Sequence, residues 1–142
     1  MPIRCEIISQ DRIVFQGDAD IVVLPGEDGV MGILPHHSPV LTVLKYGIIT
    51  IRSKGVEENY TVAGGIAEVL PDQVTVLADA AENVAEIDLQ RAQEARRRAE
   101  EMLKSGAAQK DPDEYLAIQA ALRRSNLRVD AARRYRKDTR TR

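Results

Sequence analysis

The sequence predicts an α+β chain, an all-β domain over residues 1–84 followed by a helical hairpin over residues 85–142. Short β-branched runs separated by turn residues fill the chain up to about Ala80, the composition of two packed sheets. After Glu86 the texture changes to Ala, Arg, Glu and Gln with one glycine, which is helical composition. The charge changes sign at the same place: residues 1–86 hold 5 Lys/Arg and 13 Asp/Glu, and residues 87–142 hold 15 and 9.

The β-branched runs are Ile3 to Ile8, Ile13 to Gln16, Ile21 to Leu24, Val40 to Leu44, Ile48 to Ile51, Tyr60 to Val62 and Val74 to Leu77. Turns are expected at Pro25-Gly26, Asp28-Gly29, Lys54-Gly55 and Pro71-Asp72. No helical stretch separates the runs, so antiparallel pairing is expected rather than βαβ units. Alternation at Val74-Thr75-Val76 and Thr50 to Ser53 turns one face of each sheet inward. Gly64-Gly65 falls between runs, where a bulge or a close backbone approach needs a residue without Cβ.

Asp88 starts the first helix, about 88–104, whose stripe is Ala92, Ala95, Ala99 and Met102 and whose end is Ser105-Gly106. Asp111-Pro112-Asp113-Glu114 starts the second, about 112–134, with acid at the positive dipole end. Its stripe is Tyr115, Ile118, Leu122, Ser125, Val129 and Ala132. Two narrow stripes joined by a short loop pack as an antiparallel hairpin. Because each buried CH₂ contributes about 0.8 kcal/mol, a seam made largely of alanine holds weakly. From Tyr135 the tail carries Arg136, Lys137, Arg140 and Arg142 without apolar periodicity, and a frayed end with no site is expected there.

Several functions are disfavoured by the residues themselves. No apolar run approaches the roughly 20 residues of a membrane-spanning helix, and the first residues lack a signal-peptide layout, so a soluble intracellular chain is expected. Cys5, the single cysteine, sits between Ile3 and Ile7 and reads as a buried filler. With no Trp, four Tyr and one Phe, the chain has few rings to stack on bases, which argues against a nucleic-acid module despite the basic helices. Pro35-His36-His37-Ser38 cannot place a base against a nucleophile, and Gly26, Gly29 and Gly32 lack the lysine of a phosphate loop. No catalytic residue and no metal site is expected.

The stretch Pro25 to Gly47, with Pro-Gly-Glu-Asp-Gly-Val-Met-Gly-Ile-Leu-Pro-His-His-Ser-Pro, closely resembles the signature of ATP synthase epsilon subunits. Ala63 to Val69, and Val74 to Asp79 leading to Ile87 to Ala92, resemble the same family in order and spacing. The resemblance implies a ten-stranded antiparallel β-sandwich with a C-terminal two-helix hairpin. It also implies a non-catalytic subunit that joins the gamma subunit of the rotor stalk to the membrane c-ring. Its hairpin would lie folded, or extend toward the catalytic beta and alpha subunits and oppose ATP hydrolysis.

By that resemblance Met31, Leu34, His36, His37 and Pro39 are candidates for the gamma interface. The family often has Glu where this chain has Val30, so Glu27 and Asp28 stand as substitutes for a c-ring contact. Ile87-Asp88-Leu89-Gln90-Arg91-Ala92 matches a motif with which some bacterial members bind ATP, and Glu82, Ile87, Asp88, Arg91, Ala92, Arg98, Arg124 and Arg128 are the candidate site. Guanidinium forks suit a triphosphate. The competing reading is that Asp88 caps the helix and pairs with Arg91 while the other arginines form a solvated face. Arg96, Arg97, Arg123, Arg133 and Arg134 are candidates for docking on an acidic segment of the catalytic head. No cofactor is required, with ATP expected as a regulatory ligand. The place implied is the cytoplasmic face of a bacterial plasma membrane, or the stromal side of a thylakoid, peripheral through the complex. A free ATP sensor that docks on no motor is the alternative function.

Overall fold

A computed structural model describes residues 1–106 and 111–140, with side chains described up to Tyr135. The chain divides into two compact units, Met1–Asn83 and the residues from Val84 onward.

The first unit contains β1 (Ile3–Ser9), β2 (Arg12–Ala19), β3 (Ile21–Gly26), β4 (Gly29–Ile33), β5 (Val40–Leu44), β6 (Gly47–Ser53), β7 (Val56–Val62), β8 (Gly65–Val69), β9 (Gln73–Ala78) and β10 (Ala81–Asn83). Pairing runs β10-β7-β6-β3-β5-β8-β9-β1-β2, with β4 on the other side of β3. This amounts to two five-stranded sheets, β4-β3-β6-β7-β10 and β5-β8-β9-β1-β2, joined where Gly26 at the end of β3 pairs with Leu44 of β5. Along each strand alternate residues turn inward, and Ile3, Ile7, Val22, Leu24, Ile33, Ile49, Ile51, Val62, Val69, Val74 and Val76 form one core. Cys5 lies within it, and burial pushes its thiol up to about 12, with Glu6 adding to the rise. It is the filler its neighbours predicted.

One pair departs from the antiparallel expectation. β1 lies parallel to β9, with Arg4 to Ser9 in register with Gln73 to Ala78. Pairing between strands so distant in sequence leaves no trace in local alternation. Pro25-Gly26, expected as a turn, instead ends β3, and the turn is Glu27-Asp28. Proline is tolerated because residue 25 faces β5, where its carbonyl accepts from Lys45 N–H at 3.0 Å. Lys54 and Gly55, with φ of 51° and 79°, make the two-residue turn between β6 and β7. A Cβ on Gly65 would lie 2.8 Å from the Ala78 Cα and collide with the Leu77 carbonyl, so the close approach of β8 to β9 requires glycine.

The second unit opens with a single 3-10 turn, Val84–Glu86, followed by α1 (Leu89–Lys104) and α2 (Pro112–Arg140). Asp88 caps α1, its carboxylate accepting from Arg91 N–H at 3.2 Å. Asp111 accepts from Asp113 N–H at 3.0 Å at the start of α2. Ala92 and Ala99 are buried on α1, and Ile118, Ser125, Val129 and Ala132 on α2. Ala99 packs on Ile118 with Leu103 and Leu122 beside them. Met102 is 47% exposed and Tyr115 39%, so both leave the predicted stripes; Leu103, four residues after Ala99, takes the place of Met102. The backbone of α2 stays helical to Arg140, past the expected end at 134, since no Gly or Pro follows Pro112 to stop it. The side chains of Arg136, Lys137 and Arg140, and all of Arg142, lie outside the described residues.

Candidate functional site

Two surfaces emerge, one in each unit. On the outer face of the β5-β8-β9-β1-β2 sheet, Val43 pairs with Ile66, Ile66 with Leu77, Leu77 with Ile8, and Ile8 with Ile13. The result is an apolar row across five strands. Val43 is 50% exposed, Ile66 40%, Leu77 48% and Ile13 55%, which is far more than a core position shows. A bulge on β2 makes the row continuous: Val14 and Phe15 both pack on the core, which returns Ile13 to the outer face beside Ile8. The neighbouring row is Leu41, Glu68, Thr75, Glu6 and Gln16, where Gln16 Nε2 donates to Glu6 at 2.9 Å. An acidic border thus flanks the apolar strip.

Sequence reasoning missed this row. Its signal was present: Leu77 is out of phase with Val74 and Val76, and Ile66 with Ala67 and Val69, so these strands carry apolar residues on both faces. The expected interface residues lie elsewhere. Met31 packs against the core, His37 is half-buried, and Leu34, His36 and Pro39 are exposed. His36 has φ of 68°, a left-handed conformation held by its N–H donating to Pro71 O at 2.8 Å. His37 Nδ1 lies 2.8 Å from Ser38 O. Glu27 and Asp28 are exposed at the β3–β4 turn.

In the helical unit, the motif residues Ile87 and Ala92 are buried and Asp88 caps, so these three have packing and capping roles. Glu82 belongs to β10 of the other unit, where its carbonyl accepts from Thr61 Oγ1 at 3.4 Å. The arginines are arranged differently. Arg91 and Arg98 immediately precede the buried Ala92 and Ala99, and Arg124 and Arg128 immediately precede the buried Ser125 and Val129. Each is therefore rotated about 100° from its seam in the same sense. In an antiparallel pair, equal rotation brings both sets to the same side of the hairpin. The packing of Ala99 on Ile118 sets the level: Arg91 falls between Arg124 and Arg128, about two residues along the axis from each, and Arg98 lies about five residues, roughly 7.5 Å, from the level of Arg124. Of the other arginines, Arg96 lies 4.0 Å from Glu100, Arg134 stacks 5.6 Å over Tyr135, and Arg97, Arg123 and Arg133 are exposed.

Among the described residues no group of His, Cys, Asp or Glu is placed to hold a metal ion, and no helix is long and apolar enough to cross a membrane.

Residues 2–84 match the β-sandwich domain of the ATP synthase delta/epsilon chain, and residues 85–133 match its long α-helix domain. The chain belongs to the ATP synthase delta/epsilon family. It is 41% identical over 133 residues to the ATP synthase epsilon chain of Herpetosiphon aurantiacus, covering 94% of this chain and 96% of that one. The epsilon chain of Syntrophobacter fumaroxidans is 46% identical over 130 residues, covering 92% and 95%. A chain of the mitochondrial ATP synthase of Euglena gracilis, in an assembly of OSCP, F1 and c-ring, shares the fold with a TM-score of 0.70 at 22% identity, covering 86% of this chain and 76% of that one. Membership makes this chain an epsilon-type, non-catalytic subunit of the rotary synthase.

Proposed function

We propose that the chain couples the rotor stalk to the c-ring and restrains ATP hydrolysis through its hairpin. The apolar row Val43, Ile66, Leu77, Ile8 and Ile13 carries this reading. Fully burying one Leu or Ile is worth about 1.5–3 kcal/mol, so five half-exposed residues covered together supply several kcal/mol toward a stable joint. The gamma subunit is the proposed occupant, with Leu34, His36 and Pro39 as further contacts. Glu27 and Asp28 are proposed to meet the c-ring, which places the chain peripherally on the membrane side of the catalytic head. Arg97, Arg123 and Arg133 are proposed to draw the extended hairpin to acidic residues of the beta and alpha subunits.

The test is binding to the catalytic complex stripped of this chain. Ile66→Lys with Leu77→Lys is expected to weaken binding at least roughly a hundredfold, because two cations must be desolvated in an apolar contact. Unchanged affinity in a variant of native circular dichroism would sink the joint proposed here. Wild-type chain is expected to lower hydrolysis by that complex, and unchanged turnover at saturation would remove the inhibitory role.

A second reading, ATP as a regulatory ligand, rests on the shared side of Arg91, Arg98, Arg124 and Arg128. Calorimetric titration of ATP is expected to give saturable heat in wild type that is lost in Arg91→Ala and in Arg124→Ala. Absence of heat at millimolar ATP would leave these arginines as a solvated face.

A further inference from the structure

The two sheets end at β2 and β10, whose outer edges lie near each other with no pairing between them among the described residues. There, beneath the β1–β2 turn, opens a cavity of about 190 Å³ lined by Ser9, Gln10, Arg12, Val14, Ala80 and Ala81. The turn is Gln10-Asp11, with φ of 47° and 64°, and Gln10 Nε2 reaches across to donate to Asp79 O at 3.4 Å. The β2 bulge turns Val14 inward, so Val14 and Ala81, both packed on the core, give the cavity an apolar floor. Sites for drug-sized molecules begin at roughly 300 Å³, so this one suits a smaller ligand than a nucleotide.

Three donors on its wall find no acceptor among the described residues. Ser9 is 9% exposed, and its hydroxyl, which bonds to no other described residue, opens to the cavity. A hydroxyl so deep in a fold usually has a partner. Ala63 N–H donates to Ala80 O at 2.9 Å, which makes Ala81 and Val62 a non-hydrogen-bonded pair. Ala81 N–H therefore points away from β7, toward β1 and β2. Arg12 is exposed, enters no ion pair among the described residues, and brings the one charge to a wall that holds no carboxylate.

We propose that this cavity binds a free short-chain organic carboxylate, held by the Arg12 guanidinium, the Ser9 hydroxyl and the Ala81 N–H, with its alkyl end on Val14 and Ala81. A guanidinium fork pairs with both carboxylate oxygens, and such charge-assisted bonds are about twice as strong as neutral ones. The apolar floor separates an organic acid from inorganic phosphate, since each methylene covered there strengthens binding by up to about fourfold. The site is independent of the apolar row and of the coupling function.

The experiment titrates butyrate into the full isotope-labelled chain and follows the amide resonances. Shifts at Ser9, Arg12 and Ala81 are expected to saturate in the millimolar range. Acetate, two methylenes shorter, should bind roughly tenfold more weakly. Arg12→Ala, at an exposed position, is expected to abolish saturation with an unchanged melting temperature, and Ser9→Ala to weaken it several-fold. No saturation in wild type, or the same saturation in Arg12→Ala, overturns the proposal. Equal affinity for butyrate and inorganic phosphate would reduce the site to general anion attraction and overturn the carboxylate assignment. Weaker binding of Arg12→Ala to the catalytic complex stripped of this chain, without any butyrate shift, would assign the cavity to a carboxylate side chain of a partner and also overturn it.

Discussion

The β unit and the hairpin bury apolar surface in very different amounts per contact. Ile3, Ile7, Leu24, Ile33, Ile49 and Ile51 are all at most 1% exposed in the sheets, whereas the buried residues of the two helices are mostly small, Ala92, Ala99, Ser125, Ala131 and Ala132, with Ile118 and Val129 the larger side chains among them. Alanine contributes one methyl where isoleucine contributes four carbons, and Ser125 spends its hydroxyl on the Ala121 carbonyl at 2.9 Å. The hairpin's larger apolar contacts gather where Ala99 and Ile118 meet Leu103 and Leu122. The contrast supports the roles proposed above, docking by the β unit and a hairpin held by less apolar burial.

Substitution should expose that contrast most strongly. Ile51→Ala is expected to cost about 2–5 kcal/mol and lower the urea midpoint of the β signal. Ile118→Ala should cost under about 2 kcal/mol and act on the helical signal at 222 nm. Equal losses in one shared transition would mean that the units do not differ as described.

The Cys5 thiol offers a pH probe of the sheet alone. Its folded value of about 12 lies above the ordinary 9.0, so the unfolded chain releases this proton first. Its contribution is therefore fully present below pH 9 and is lost between pH 9 and 12, at about 1.4 kcal/mol per pH unit. Urea melts of wild type and Cys5→Ala at pH 8 and pH 10 should differ by about that slope, and parallel behaviour would contradict burial of the thiol.

The smallest effect belongs to the helix start. Asp88→Ala removes the acceptor for Arg91 N–H and should destabilise the helical unit by about 1 kcal/mol, read as earlier helix melting with the β transition unmoved.

Much of the fold was legible because it is locally encoded. Seven strands announced themselves by β-branched runs, and Asp88 and Pro112 marked the helix starts. β4 and β8 begin with glycine, and β10 has no β-branched residue, so only the family resemblance supplied the count of ten. The parallel β1–β9 pair was invisible, since pairing between distant strands is settled by the whole core. Among site residues, the arginine spacing was readable from helix periodicity, but which side of the hairpin each set faces required the seam. The apolar row needed the cross-strand register, because Val43, Ile66 and Leu77 look like core residues until their neighbours are known. Met31 shows the reverse, an interface candidate that packs on the core.

Native-state hydrogen exchange on the whole chain, resolved by residue, tests the contrast most directly. Amides at Val22, Leu24, Ile49, Ile51, Val74 and Val76 are expected to exchange only through global unfolding, and those from Ala92 to Leu103 and from Ile118 to Ala132 through openings of clearly lower free energy. Equal protection in the two sets would contradict a hairpin held more weakly than the sheets.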